Sequence, residues 1–137
     1  MKIKILIITS EFGKQGGGLS NSATQLANHL CDLGFVVEVV VSSQSLINDD
    51  VNQLNLKVIQ DTIEVASGGY NPNLQRDLFF RGHLNNVYIQ QQKDLPDLII
   101  AFGCGLNGLF ASELSKLLKV LLVAMPSGSE LNLATSN

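Results

Sequence analysis

The feature of this sequence that most constrains its fold is an alternation between short apolar runs and segments with helical periodicity. The first apolar run, residues 3–9, reads IKILIIT and is rich in β-branched isoleucine. Runs of this kind are typical of strands covered on both faces, as in parallel sheets. In the next segment the apolar residues recur every three or four positions, which predicts one face of a helix. These residues are Leu19, Ala23, Leu26, Ala27, Leu30 and Leu33.

The same alternation continues along the rest of the chain. Further strands are predicted over residues 35–41, 56–59, 98–102 and 120–125. Further helices are predicted over residues 75–94 and 106–118, the second with an apolar stripe that includes Leu109 and Leu117. Ser20 is a predicted N-cap of the first helix, and Gly34 stands where a C′ glycine ends one. We expect a single α/β domain, a Rossmann-like three-layer sandwich with a mainly parallel sheet and strand order 3-2-1-4-5.

Composition narrows the classes of function. The 137 residues suffice for one domain with a real core, and the net charge is −3. A mildly acidic chain without a basic cluster argues against nucleic acid as a partner. No apolar stretch is long enough to span a bilayer, and residues 3–9 fit a buried strand better than a signal peptide. We expect a cytoplasmic protein with packed, reduced thiols at Cys31 and Cys104, and peripheral membrane contact stays open.

Three consecutive glycines, Gly16, Gly17 and Gly18, lie between the first predicted strand and the first predicted helix. Backbone without Cβ atoms allows a ligand to come close. A helix N-terminus behind such a loop presents unpaired N–H groups, which favour an anion by roughly 0.3–1 kcal/mol per charge. The glycines therefore indicate a site for a phosphate or a sugar hydroxyl, with a tight turn that requires positive φ as an equal alternative.

Other nucleotide-binding motifs fit the sequence less well. A P-loop requires Ser or Thr after Gly-Lys, but Gln15 follows Lys14 here, and the triple glycine comes later. The segment GCGLNG at residues 103–108 matches the dinucleotide pattern G-x-G-x-x-G, yet no acidic residue ends the strand that follows it. An NAD-dependent enzyme is accordingly a weaker alternative.

No pattern indicates a catalytic or metal centre. The two histidines, His29 and His83, have no Cys or acidic residue at ligand spacing, so we expect no metal site and name no catalytic residue. Glu11, Asn21 and Glu130 are polar residues in or beside loops at predicted strand ends. Each could bind hydroxyl groups, cap a helix or face solvent.

Two segments resemble a known family. The first, residues 4–43, has a strand, a Gly-Gly pair, a helix of the type Leu-Ala-x-x-Leu-x-x-x-Gly and a valine-rich strand. The second, residues 96–132, has a Pro-Asp strand, a helix, another strand and a loop that contains Ser127. In both segments the chain resembles the N-terminal domain of the retaining glycosyltransferases of family 4, which have the GT-B fold of two Rossmann-like domains.

The resemblance implies a domain that holds the acceptor, with a glycine loop that approaches the diphosphate of a nucleotide-sugar donor. It assigns the donor phosphates to Gly16, Gly17 and Gly18. It assigns the acceptor or the sugar to Glu11, Asn21, Ser127, Gly128 and Glu130. Ser127 stands where the family has a loop histidine that touches the donor sugar, and a serine cannot take the charge of an imidazole.

The resemblance also implies partners. The complete enzyme would transfer a sugar from a nucleotide-sugar to a sugar, lipid or protein acceptor, with no separate cofactor in this chain. The donor-binding domain of such an enzyme has no counterpart in the sequence, so a donor-binding domain or subunit is a further expected partner. Two alternatives stay open: a stand-alone Rossmann-like module that binds a nucleotide or a partner, and one subunit of a two-chain transferase.

Overall fold

The five apolar runs form one parallel sheet in a computed structural model of the chain, which describes residues 2–9, 18–41, 56–60, 84–102 and 106–125. The strands are β1 (Lys4–Thr9), β2 (Val36–Val41), β3 (Leu56–Gln60), β4 (Leu98–Phe102) and β5 (Leu122–Met125). Their order in the sheet is β3-β2-β1-β4-β5, and every neighbouring pair is parallel. The predicted fold class and strand order are confirmed.

Helices cover both faces of this sheet. Helix α1 spans Gly18–Asp32, helix α2 is described over residues 84–93, and helix α3 spans Leu106–Leu118. Helix α1 packs on one face, and α2 and α3 pack on the other. The chain therefore forms the three layers that the alternation of strands and helices predicts.

The pleat of β1 explains why its apolar run is continuous. Ile5 and Ile7 are buried in the cluster beneath α1, where Ala23 and Ala27 bring the helix close to the sheet. Leu6 points to the opposite face, where it joins the cluster beneath α2 and α3. Successive side chains of a strand alternate between faces, so a central strand with two helical layers has apolar residues at nearly every position.

Gly34 ends α1 as the sequence predicts. Its φ is 96°, its N–H donates to the carbonyl of Cys31 at 3.0 Å, and the N–H of Phe35 donates to the carbonyl of Leu30 at 3.1 Å. This pair of bonds is the Schellman arrangement, in which a left-handed glycine satisfies the last carbonyls of a helix. A side chain at this position is strained by the backbone conformation alone, because no atom lies within 4 Å of an added Cβ.

We expect Gly34→Ala to lower the free energy of unfolding by about 1–2 kcal/mol, since alanine pays the cost of the left-handed conformation. Urea denaturation followed by circular dichroism measures this difference. The control is Ser22→Ala, at an exposed position on the same helix, for which we expect a change within about 0.5 kcal/mol. Equal stabilities of the glycine and alanine proteins would contradict the assignment of this cap.

Several local expectations need correction. Helix α1 begins at Gly18, so Ser20 lies inside its first turn and is not the N-cap. Leu33 is exposed because it follows the last residue of α1 and lies in the turn that leads to β2. Leu109 and Leu117 point away from the sheet, since Phe110, Ala111, Leu114 and Leu118 occupy the inward face of α3.

Cys31 is a buried free thiol on the face of α1 that packs against the sheet. Burial, together with the nearby negative charge of Asp32, raises the pKa of the Cys31 thiol above its ordinary value. A raised pKa keeps the thiol protonated and unreactive near neutral pH. Cys31 therefore acts as a small apolar core residue, as expected, whereas Cys104 lies outside the described residues.

Candidate functional site

The strand order places a reversal between β1 and β4. From β1 the chain proceeds outward to β2 and β3, then returns to β4 on the other side of β1. In open parallel sheets the crevice beside such a reversal, at the carboxyl ends of the strands, is where ligands bind. We call this side of the sheet the carboxyl edge; its described strand ends include Thr9, Val41, Phe102 and Met125.

The N-terminus of α1 points to the carboxyl edge. The opposite end of the helix is at the amino edge, because Gly34 and Phe35 lead directly into Val36, whose N–H donates to the carbonyl of Ile3 at 2.9 Å. The 15 residues of α1 extend about 22 Å, and the six residues of β1 extend about 20 Å. Gly18 is therefore level with the end of β1.

Helix α3 has the same direction on the other face of the sheet. Its C-terminal end is tied to the amino edge, where the N–H of Val120 donates to the carbonyl of Ser115 and the N–H of Ile99 donates to the carbonyl of Leu121. Its N-terminus at Leu106 follows the end of β4 closely in sequence. The N-termini of α1 and α3 consequently face the same crevice from opposite sides, and both carry positive partial charge.

The strand ends beneath this crevice carry no ionisable side chain at β1, β2, β4 or β5. Thr9, Val41 and Phe102 are buried, while Met125 on the edge strand is exposed. A ligand at this edge would meet helix N-termini and an uncharged floor in the part of the chain that the structure describes. This arrangement suits an anion held by backbone N–H groups.

Two of the predicted site residues lie in the described ranges. Gly18 is the first residue of α1, and Asn21 belongs to the first turn of that helix, so the structure brings both to the N-terminus that faces the crevice. The remaining predicted site residues lie outside the described residues: Glu11, Gly16, Gly17, Ser127, Gly128 and Glu130. For these six the sequence assignments stay predictions.

Of the two histidines, the one in the described residues lies far from this site. His29 is exposed near the C-terminal end of α1, at the opposite edge from the crevice. His83 lies outside the described residues. Within residues 2–9, 18–41, 56–60, 84–102 and 106–125, no group of three His, Cys, Asp or Glu residues could hold a metal ion. None of the helices described in these ranges is both long and apolar enough to cross a bilayer.

A second polar arrangement, at the amino edge, was not anticipated from the sequence. Lys4 of β1, Glu38 of β2, and Gln91 and Asp94 at the end of α2 form what we call the amino-edge network. The Lys4 Nζ donates to Gln91 Oε1 at 2.9 Å and lies 3.3 Å from Glu38 Oε1. The Gln91 Nε2 donates to Glu38 Oε2 at 2.6 Å. Each side chain of this triangle therefore contacts the other two.

The amino-edge network also ends α2. The Lys4 Nζ donates to the main-chain carbonyl of Asp94 at 2.6 Å and lies 3.8 Å from the Asp94 carboxylate. A cation at the C-terminus of a helix is favoured by the helix dipole and satisfies a carbonyl that has no partner within the helix. Lys4 thus caps α2 at a carbonyl that lies 90 positions later in the sequence.

The backbone of Lys4 extends the same contacts to β4. The Lys4 N–H donates to Asp97 Oδ2 at 2.9 Å, and the Asp97 N–H donates to the Lys4 carbonyl at 2.8 Å. These bonds join the beginnings of β1 and β4, the two strands that flank the crevice at their other ends. The sequence signal for the amino-edge network was a charged residue in an otherwise apolar strand. Lys4 is such a residue in β1, and Glu38 is such a residue in β2.

Comparison with known proteins shows that this chain is similar to them in fold. No protein-family model matches the sequence, and no curated protein matches it. The structure is similar to the C-terminal domain of a hydrogenase from Pyrococcus furiosus, with a TM-score of 0.69, 13% identity, and coverage of 90% of this chain and 92% of that one.

Two larger enzymes contain a similar domain. Sucrose-phosphate synthase from Thermosynechococcus elongatus aligns with a TM-score of 0.68 and 14% identity over 91% of this chain and 33% of that one. UDP-GlcNAc 2-epimerase from Neisseria meningitidis, solved with UDP-GlcNAc bound, aligns with a TM-score of 0.58 and 12% identity over 92% of this chain and 32% of that one. The chain spans about a third of each enzyme, and the likeness is to a GT-B-like, Rossmann-like domain.

Proposed function

We propose that this chain is a nucleotide-sugar-binding domain, the acceptor-side half of a GT-B glycosyltransferase of the retaining family 4 type. The observation that carries the proposal is the start of α1 at Gly18, the last of three glycines, at the edge of the sheet beside the β1–β4 reversal. Support comes from the likeness of fold to sucrose-phosphate synthase and to an epimerase solved with UDP-GlcNAc.

The proposed ligand contact is the diphosphate of the donor. Gly16, Gly17 and Gly18 have no side chains to block the approach of a phosphate, and the first N–H groups of α1 have no partner within the helix. The positive end of the helix dipole adds a favourable interaction with each phosphate charge. In this proposal the crevice provides electrostatic stabilisation of the leaving diphosphate, and no catalytic residue is assigned.

The acceptor or the sugar is assigned to polar groups around the same crevice. Asn21 lies one turn into α1, next to the proposed phosphate site. Glu11, Ser127, Gly128 and Glu130 complete the proposed set from the loops after β1 and β5. A donor-binding domain or subunit closes the site in this proposal, because the enzymes of similar fold are about three times as long as the aligned region.

The experiment that tests the proposal is a titration of the ¹⁵N-labelled protein with UDP and, separately, with uridine. We expect UDP to shift the amide signals of residues 18–22 and to bind about 3- to 30-fold more tightly than uridine. That range corresponds to two phosphate charges, each favoured by roughly 0.3–1 kcal/mol at a helix N-terminus. UDP-GlcNAc is expected to shift the same signals.

Two variants with the same change of charge sharpen this test. Gly17→Asp places a carboxylate where the phosphate is proposed to bind, so the preference for UDP over uridine should disappear. Gln90→Asp introduces the same charge at an exposed position of α2 and should keep the preference. Binding of UDP and uridine with equal affinity to the unchanged protein would contradict the phosphate site.

A second candidate is a stand-alone module that binds a partner without sugar transfer. The hydrogenase domain favours it, because a unit of nearly the same extent occurs there in a protein of a different kind. The UDP titration distinguishes the two: the module predicts no preference for the diphosphate, and the transferase domain requires one.

A further inference from the structure

We propose that strand β5 is an interface through which two copies of this chain pair edge to edge about a twofold axis. The β5 of the second copy runs antiparallel to the first and joins the two five-stranded sheets into one. Three properties of β5 lead to this pairing: an edge without protecting residues, exposed apolar side chains, and backbone groups directed away from the sheet. None of them enters the proposed function.

The two edge strands of the sheet differ in their protection. Edge strands of natural proteins commonly carry charged side chains, proline or bulges that prevent pairing with another chain. In β3, Lys57 is an exposed charge of this kind. The sequence of β5, LVAM, contains neither a charge nor a proline. Within the described residues β5 pairs with β4 alone, so its other side is a free edge with no residue that discourages pairing.

The side chains of β5 on the α1 side of the sheet are apolar and exposed. Leu122 packs against the cluster beneath α2 and α3, so the alternation of side chains places Leu121, Val123 and Met125 on the α1 side. These three residues are between 41% and 71% exposed. Helix α1 contacts mainly β1, β2 and β3 and does not cover them. A contiguous apolar surface of this kind marks an interaction site.

The backbone of β5 determines the register in which a second copy can pair. The Leu121 carbonyl accepts from the Ile99 N–H at 2.9 Å, so it points to β4. Because backbone groups alternate in direction along a strand, the N–H and C=O groups of Leu122 and Ala124 point to the free edge. With Val123 on the twofold axis, Leu122 of each copy lies opposite Ala124 of the other, and each such pair exchanges two hydrogen bonds.

The same register makes the apolar surface complementary to itself. Val123 lies opposite Val123 of the second copy as a non-hydrogen-bonded pair, with Cα atoms about 4.5 Å apart. Leu121 lies opposite Met125 of the second copy, so each of the exposed side chains gains an apolar cross-strand neighbour. Lys119 is the one charged residue of residues 117–125. The two copies of Lys119 lie at opposite ends of the paired strands, so no like charges meet.

The size of the contact sets its strength. The four residues of β5 extend about 13 Å, and interfaces that bury less than about 1,200 Å² belong to weak, transient complexes. We therefore expect a dissociation constant on the order of 100 μM. The contact uses the same edge of both copies, so association ends at two chains.

The test is sedimentation velocity of the 137-residue chain between about 5 and 500 μM, a range that spans the expected dissociation constant. We expect the mass to rise from 14.8 kDa towards twice that value. The amide signals of residues 121–125 should shift over the same concentrations. A chain that stays monomeric throughout, or one that assembles beyond two copies, would overturn the proposal.

Two variants locate the contact on β5. Val123→Lys places two ammonium groups opposite each other on the axis and should raise the dissociation constant at least about tenfold. The matched control is Ile89→Lys on α2, where the side chain is 47% exposed against 44% for Val123; it should leave dimerisation unchanged. Ala124→Pro removes an N–H that points to the free edge and keeps the contacts with β4, so it should also weaken the dimer. Equal dimerisation of the unchanged protein and both β5 variants would contradict the interface.

A crosslink tests the register itself. Two Val123→Cys chains would place their thiols on the axis, at a Cα separation that suits a disulfide, and should crosslink on mild oxidation. In Ala124→Cys the two thiols would be more than about 7 Å apart by their Cα atoms, which is too far for a disulfide. Both variants carry Cys104→Ser, so the buried Cys31 is the other thiol that remains. Equal crosslinking at positions 123 and 124, or none at position 123, would exclude the proposed pairing.

Discussion

Replacement of Lys4 by methionine alone will lower the free energy of unfolding by about 3–5 kcal/mol, the range measured when one partner of a buried ion pair is removed. The loss is large because the substitution leaves polar groups without their partner. The Glu38 carboxylate, with a 15% exposed side chain, loses its ammonium partner, and the Asp94 carbonyl at the end of α2 loses its donor. Urea denaturation measures the difference against a total stability of about 5–15 kcal/mol for a domain of this size.

Two further variants identify the cause of this loss. Lys116→Met removes a lysine whose side chain is 73% exposed, and a change of no more than about 0.5 kcal/mol is expected. Adding Glu38→Leu to Lys4→Met should recover much of the stability, because the stranded charge is removed. A Lys4→Met protein as stable as the Lys116→Met protein would show that the contacts of Lys4 do not contribute to the free energy of unfolding.

Leu6→Ala will have the second large effect, a loss of about 2.7–5 kcal/mol. Leu6 is fully buried in the central strand, within the cluster beneath α2 and α3. Its truncation removes apolar contact area and leaves a cavity that neighbouring strands, paired on both sides of β1, are poorly able to close. Thermal and urea denaturation of the purified protein provide the measurement.

The matched control for Leu6 is Leu33→Ala, the same chemical change at a side chain that is 61% exposed. We expect this variant to lose less than about 0.5 kcal/mol. The contrast tests the correction made to the α1 pattern, because the helical periodicity alone places Leu33 on the buried stripe. Similar losses at positions 6 and 33 would contradict the placement of Leu33 outside the core.

The elements of the fold were largely predictable from the sequence because their signals are local. Residues 98–102 were predicted as a strand and form β4 with the same bounds. The order of the strands was expected from the Rossmann-like alternation of strands and helices, and the structure has that order. The left-handed glycine at the end of α1 was also predictable, since few other residues adopt that conformation.

Which residues of a helix face the core was less predictable. Leu109 and Leu117 share helical spacing with the true inward residues of α3, yet they are exposed. A stripe of apolar residues defines a broad arc of the helix, and the curvature and width of the sheet decide which part of the arc is covered. Periodicity carries no information about that boundary.

The candidate site was also predictable from the sequence only in part. The sequence indicated a glycine loop before a helix, and the structure places the first turn of that helix, with Gly18 and Asn21, at the carboxyl edge beside the strand reversal. The second helix N-terminus at this edge, that of α3, comes from the three-dimensional arrangement. It approaches the crevice because β4 is inserted next to β1 after the chain has built the opposite half of the sheet.

The sequence by itself determined the types of element, their order and the class of fold, because strand burial, helix periodicity and glycine conformation are properties of short segments. Only the tertiary structure decided that Lys4, Gln91 and Glu38 meet. Lys4 and Gln91 are 87 positions apart, and Gln91 and Glu38 are 53 apart. Contacts over such distances depend on the packing of α2 against two strands, so no local pattern of charge or hydropathy could predict them.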